Sequence, residues 1–243
     1  MSRYAPSGTT VQFGPGPITN AVRALIIANV AVFIPTFFAP AFFHTYLGLV
    51  PELFFTKVWV WQAATYAFVH ADPVHILFNM LIVWMFGVDL ERRWGAAGFT
   101  KFYMVCAVGA AATVLLVSLL PFDSSRTMYY ASTVGASGAC YGLLMAWALL
   151  FPRRELLLFF VFPVQARYAV LIFGGLAFFS GMSSGGGTVA HFAHLGGLVA
   201  GYLYLKGPRG LRYSMQSAIT RARFARARRK FTVHNGGKGP TIH

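Results

Sequence analysis

The chain has 243 residues, 57% hydrophobic and only 11% charged, with a mean hydropathy of +0.60. Soluble domains carry about 25% charged residues, so the composition excludes an ordinary soluble globule and indicates a polytopic membrane protein short enough to be one domain. The net charge of +14 raises nucleic acid as a partner class, but the position of the basic residues argues for lipid instead.

A helical span needs about 20 mostly apolar residues. Windows at 20–40, 73–89, 102–121, 134–151, 167–183 and 189–205 meet that requirement and predict an all-α bundle of six transmembrane helices over residues 20–206. Residues 1–19 are expected to form a short cytoplasmic segment. The Pro/Gly-rich stretch through Gly16 lacks the charge-plus-apolar design of a cleaved signal peptide, so the first span is expected to stay. Ahead of the second span, Asp72 and Pro73 read as an N-cap followed by proline at the first helical position. Between the fourth and fifth spans, Pro152 and Pro163 bracket a piece too short to cross, which is expected at the membrane interface. Cys106 and Cys140 both lie in apolar segments and read as small packing residues rather than a disulfide.

Lys and Arg placement gives an orientation. Arg92 and Arg93 follow the second span, Arg153 and Arg154 follow the fourth, and a basic tail follows the sixth, whereas the opposite loops are poor in positive charge. Positive charge stays cytoplasmic, so both termini are expected inside, with spans two, four and six running from outside to inside. The tail at 207–243, together with Lys206, holds half of the 20 basic residues, with Arg221, Arg223, Arg226, Arg228, Arg229 and Lys230 the densest group. It reads as a juxtamembrane segment on anionic lipid, at about 1 kcal/mol per basic residue, and no nucleic-acid partner is expected.

Polar groups inside spans are costly and therefore candidates for function. They are His75 and Asn79 in the second span, Ser137 in the fourth, and His191 and His194 in the sixth; His70 lies just ahead of the second. His75 and Asn79 are four apart and share a helix face, as do Ser137 and Tyr141. His75, Ser137 and His194 each fall within the first turns of three helices that run the same way, so topology alone puts them at similar depth near the outer face. Gly138-x3-Gly142 and Gly197-x3-Gly201 are patterns that let helices approach closely in lipid. If those faces meet, the Ser137 hydroxyl and the His194 imidazole meet with them.

That pairing is the chemistry of serine acyl transfer. A serine hydroxyl needs a neighbouring base to take its proton, and His194 is the candidate base. His75 and Asn79, with the Ser137 N–H, would donate to the oxyanion. No acidic residue is placed to orient the histidine: Asp89, Glu91 and Glu155 lie on the inner side, Glu52 and Asp123 lie in loops, and Asp72 reads as a cap. The prediction is a Ser–His dyad with the imidazole positioned by Tyr141, and His191 is left structural. A metal site built from His70, His75, His191 and His194 is the competing chemistry; it lacks a His-Glu-x-x-His motif and a carboxylate base, so no metal or cofactor is expected.

With "GASG" at Gly135–Gly138, "HILFN" at His75–Asn79 and "AHLGG" at Ala193–Gly197, the chain resembles the rhomboid intramembrane serine proteases. Trp61-Gln62 resembles the family's Trp-Arg position, with Gln a departure that bears on loop packing, and "GVDLERRWG" at Gly87–Gly95 resembles the turn after its second span. The resemblance implies a six-helix bundle, Ser137 as nucleophile, His194 as general base, and His75 and Asn79 in the oxyanion region. It further implies that Tyr141 packs on His194, that Gly197 permits close contact of spans four and six, that His70 has a hydrogen-bonding role, and that Gly135 supports the site. Relatives of this kind act on single-span membrane proteins cut near the outer face, which makes such proteins and membrane lipid the expected partners and a bacterial plasma membrane the expected location. The soluble domain that precedes the spans in some relatives is not expected in the short stretch ahead of position 20. Two other classes stand beside this one: a catalytically inactive rhomboid-like protein that binds membrane clients, and a small transporter, against which the polar residues gather toward one face.

Overall fold

The computed structural model describes residues 14–121, 123–158, 162–182 and 188–207. The first thirteen residues, the centre of the loop before the sixth window and the basic tail beyond residue 207 lie outside the described residues, and with them the expectations placed on the tail. The chain divides into a unit Met1–Tyr202 and a second, Leu203–His243. In the described part of the second unit, Gly207 N–H donates to Leu203 O at 2.7 Å.

Helices dominate. α1 runs Asn20–Phe38 and is followed by three short helices, α2 at Pro40–Tyr46, α3 at Pro51–Thr56 and α4 at Gln62–Thr65, and by a 3-10 turn at Tyr66–Phe68. α5 spans Pro73–Ser118, α6 Asp123–Tyr130, α7 Ser137–Leu150, α8 Ala166–Met182 and α9 Thr188–Lys206. α1 and α5 are long and apolar enough to cross a bilayer, and α7 and α8 are shorter apolar helices. Large apolar side chains such as Ile27, Ile34, Leu171, Leu176 and Leu203 stand exposed along α1, α8 and α9, the surface a lipid solvent would cover.

α5 starts as its sequence dictates. Asp72 accepts the His75 N–H at 2.9 Å and Pro73 occupies the first turn. Its regularity breaks at Gly95, where φ is +75° and ψ 166°. The two arms fold back on one another: a Cβ at Gly87 would lie 2.9 Å from the Phe99 ring, and Trp94 meets Phe102 at 5.0 Å between centroids.

The start of α1 and the end of the first arm of α5 are tied by the acids. Glu91 accepts from Thr19 Oγ1 at 2.5 Å, Ala21 N–H at 3.0 Å and Val22 N–H at 2.9 Å, so a residue of α5 caps the start of α1. A carboxylate there also faces the positive end of the helix dipole. Arg92 donates to the carbonyls of Pro15 and Pro17 at 2.5 and 3.0 Å. Asp89 pairs with Arg154 and accepts Trp147 Nε1–H at 3.2 Å. Glu91→Ala strands two buried N–H groups and is expected to destabilise by about 2–3 kcal/mol, read as an earlier unfolding midpoint in denaturant; an unchanged midpoint would show the cap to be idle.

The piece expected at the interface between α7 and α8 is a β-hairpin, with Glu155–Leu158 paired antiparallel to Phe162–Gln165, Glu155 opposite Gln165 and Leu158 opposite Phe162. Its ladder pairs the backbone groups of an apolar stretch that is too short to make a spanning helix.

Candidate active site

Ser137 is the first residue of α7, so its N–H belongs to the helix-start donors that have no acceptor one turn back. Its Oγ lies 2.9 Å from His194 Nε2 on α9. The His194 ring stacks on Tyr141, one turn along α7 from Ser137, at 4.3 Å between centroids and 8° between planes. Stacking fixes the plane of the imidazole, and a fixed plane aims Nε2 at the hydroxyl. Among the described residues His194 Nδ1 has no hydrogen-bond partner.

Glycine contacts bring the two helices together. A Cβ at Gly197 would fall on the Gly138 carbonyl, and one at Gly201 would lie 3.0 Å from Gly142 O. The contacts advance together, 138 with 197 and 142 with 201, so α7 and α9 run parallel. The first arm of α5 runs with them, since Gly135 meets His75 while Cys140 Sγ lies 3.6 Å from Asn79 O. The second arm of α5 is antiparallel and equally close, with Ala110 against Gly138 and Cys106 against Gly142.

The loop before Ser137 is held from several sides. Gly135 has φ +113°, which a side chain rarely adopts, and a Cβ there would lie 2.5 Å from His75 Nε2 and 3.5 Å from Asn79 Nδ2. The two side chains therefore face the backbone just ahead of the serine. Asn79 is 4% exposed, and its Nδ2 has no partner among the described residues, which leaves a buried donor directed at this corner. His70 is fully buried, its ring 5.0 Å from that of His75, and its Nε2 accepts the Ala136 N–H at 3.4 Å. Every site residue read from the sequence thus falls in one neighbourhood. His191 lies at its margin, its ring 6.0 Å from that of His194.

Burial first, and the neighbouring His75 second, push the His70 pKa from the usual 6.5 down to about 4. An unfolded His70 takes up a proton below 6.5 and the folded one does not, so stability falls as pH drops from about 6.5 to 4. The expected loss is about 3 kcal/mol. Denaturant titrations across that window should give a steeper slope for the wild type than for His70→Gln; equal slopes would contradict the buried neutral imidazole.

Sequence reasoning missed Tyr66, which is 1% exposed and bonds to both sides of the site. Its carbonyl accepts the Gly135 N–H at 2.9 Å and its hydroxyl donates to Ala107 O at 2.8 Å. A tyrosine in an aromatic-rich loop carries no signal of such a role. Gln62, the departure noted in the loop, is buried and bonds Val50 N–H at 3.0 Å and Thr45 O at 2.8 Å, so it serves loop packing.

Residues 57–207 match the family model described as the Rhomboid domain. The chain is 34% identical over 190 residues to Rhomboid protein 1, mitochondrial, of Saccharomyces cerevisiae, covering 76% of this chain and 52% of that protein. It is 28% identical to Rhomboid protease GluP of Bacillus subtilis over 58% of this chain and 25% of that one, and 27% identical to Rhomboid protease AarA of Providencia stuartii over 66% and 61%. The chain spans about half the length of the yeast relative.

Proposed function

The chain belongs to the rhomboid family, and from that premise we propose that it is an intramembrane serine endopeptidase working by a Ser137–His194 dyad. The observation that carries this reading is the 2.9 Å approach of Ser137 Oγ to an imidazole stacked on Tyr141. Two relatives carry the word protease in their names, which supports the same class.

In this mechanism His194 Nε2 takes the hydroxyl proton as Ser137 Oγ attacks the substrate carbonyl. The carbonyl oxygen becomes an oxyanion, stabilised by the Ser137 N–H, Asn79 Nδ2 and His75. As the tetrahedral intermediate collapses, the C–N bond breaks, His194 returns its proton to the leaving amine, and an acyl-Ser137 ester remains. Water then attacks the ester with His194 again as base, releasing the second product and restoring the serine. Apart from the substrate and the hydrolytic water, the cycle draws on groups of the chain.

The proposed architecture counts six crossings: α1, the two arms of α5, α7, α8 and α9. Arg92, Arg93, Arg153 and Arg154 mark the cytoplasmic side, which sets Ser137 near the outer face and both termini inside. Single-span membrane proteins, unwound locally near that face, are the proposed substrates. The test is cleavage of a purified single-span substrate by the purified protein in detergent, with fluorophosphonate labelling in parallel. Cleavage with label on Ser137 is expected; label elsewhere, or cleavage blocked by a chelator, would overturn the assignment.

A further inference from the structure

The loop leading to Ser137 bonds repeatedly to the connection between α1 and α5. Ser132 Oγ donates to His44 O at 2.9 Å, and Thr133 and Leu49 exchange backbone hydrogen bonds at 2.8 and 2.9 Å. Gly135 N–H then donates to Tyr66 O at 2.9 Å, and Ala136 N–H to His70 Nε2 at 3.4 Å. Tyr66 then reaches past the serine: a Cβ at Gly138 would lie 3.3 Å from its hydroxyl oxygen. The same hydroxyl is anchored to Ala107 O on the second arm of α5. One buried residue therefore holds the backbone two residues before Ser137 through its carbonyl and faces Gly138, one residue after it, with its hydroxyl, which is tied to a helix that the dyad does not use.

We infer that Tyr66 is a positioning residue for the oxyanion-binding backbone, holding the Gly135–Gly138 segment in register with His75 and Asn79. The inference rests on the reading of Ser137 as nucleophile. The backbone N–H groups on which the oxyanion would depend lie between the two points Tyr66 touches, and catalysis by such donors depends on their placement before reaction. The hydroxyl of Tyr66 bonds to Ala107 O and the ring of His194 stacks on Tyr141, so proton transfer at the dyad is left to its own geometry.

Tyr66→Phe keeps the ring and removes only the bond to Ala107 O, a helical carbonyl. The variant is expected to fold, with kcat per fluorophosphonate-titrated site reduced roughly tenfold, the size of one lost hydrogen bond. KM and the midpoint of the kcat–pH profile should not move, because the loss falls on the transition state and not on substrate binding or the base. Amide hydrogen exchange at Gly135 should be slow in the wild type and at least about tenfold faster in Tyr66→Phe. An unchanged kcat per titrated site, a Gly135 amide that exchanges freely in the wild type, or a Tyr66→Phe protein that does not fold would each overturn the positioning role. A wild type that neither cleaves nor labels at Ser137 removes the nucleophile reading itself, an outcome distinct from those three.

Discussion

Ser137→Ala and His194→Ala should each lower kcat by at least about 10⁴-fold, and the double variant should be no worse than either single one. The magnitude follows from what each removal does. Without Ser137 Oγ no acyl-enzyme forms; without His194 the hydroxyl stays protonated and the leaving amine receives no proton. The non-additivity is the sharper signature, because two groups that act through one 2.9 Å contact can be lost only once. Four of the acids already have other partners: Asp72 caps α5, Asp89 pairs with Arg154, Glu91 caps α1 and Glu52 accepts from Thr56 Oγ1 at 3.1 Å. Initial rates on a single-span substrate, normalised to folded protein, test the prediction. Ser137→Ala within tenfold of wild type would end the dyad mechanism, and independent, multiplicative losses would end the claim that the two residues act as a unit.

Much of this site was readable from the chain because polar residues in apolar windows stand out. Ser137, His194, His75 and Asn79 are conspicuous for what surrounds them, and the alternation of helix direction puts them at one depth before any coordinate is known. Asp72 and Pro73 likewise announce the start of α5 locally. Contacts between distant, ordinary residues leave no such trace. Glu91 reads as an acid on the wrong side of the membrane until Ala21 and Val22, some seventy residues earlier, turn their N–H groups toward it. The Leu49–Thr133 bridge and the hold of Tyr66 on Gly135 are invisible for the same reason: one hydrogen bond per residue has no period. The hairpin around Leu158 was hidden differently, since an apolar run bounded by prolines suits an interfacial segment of any secondary structure.

Gly197→Ala tests the step from packing to chemistry. In an exposed helix alanine is more favourable than glycine by about 1 kcal/mol, so propensity alone predicts a gain in stability. The structure reverses the sign, because the new Cβ would fall on the Gly138 carbonyl, with Gly138 C at 2.6 Å. A backbone carbonyl in the first turn of α7 cannot swing aside as a side chain can, so α7 and α9 must separate. Overpacking of this kind costs about 1–3 kcal/mol, and a separation of about 1 Å between reacting groups costs on the order of 100-fold in rate. Gly201→Ala is the control, one turn further along the same stripe. Its Cβ would meet Gly142 O at 3.0 Å and Cα at 3.1 Å, contacts that a few tenths of an ångström relieve, and it lies two turns from the His194 ring. The expected order is therefore a loss of about 100-fold in kcat/KM with a lowered melting temperature for Gly197→Ala, and less than about tenfold for Gly201→Ala. Thermal melts and cleavage rates on the same preparations decide it. If Gly197→Ala were as stable and active as the wild type, the glycine stripe would not be what brings the imidazole to Ser137.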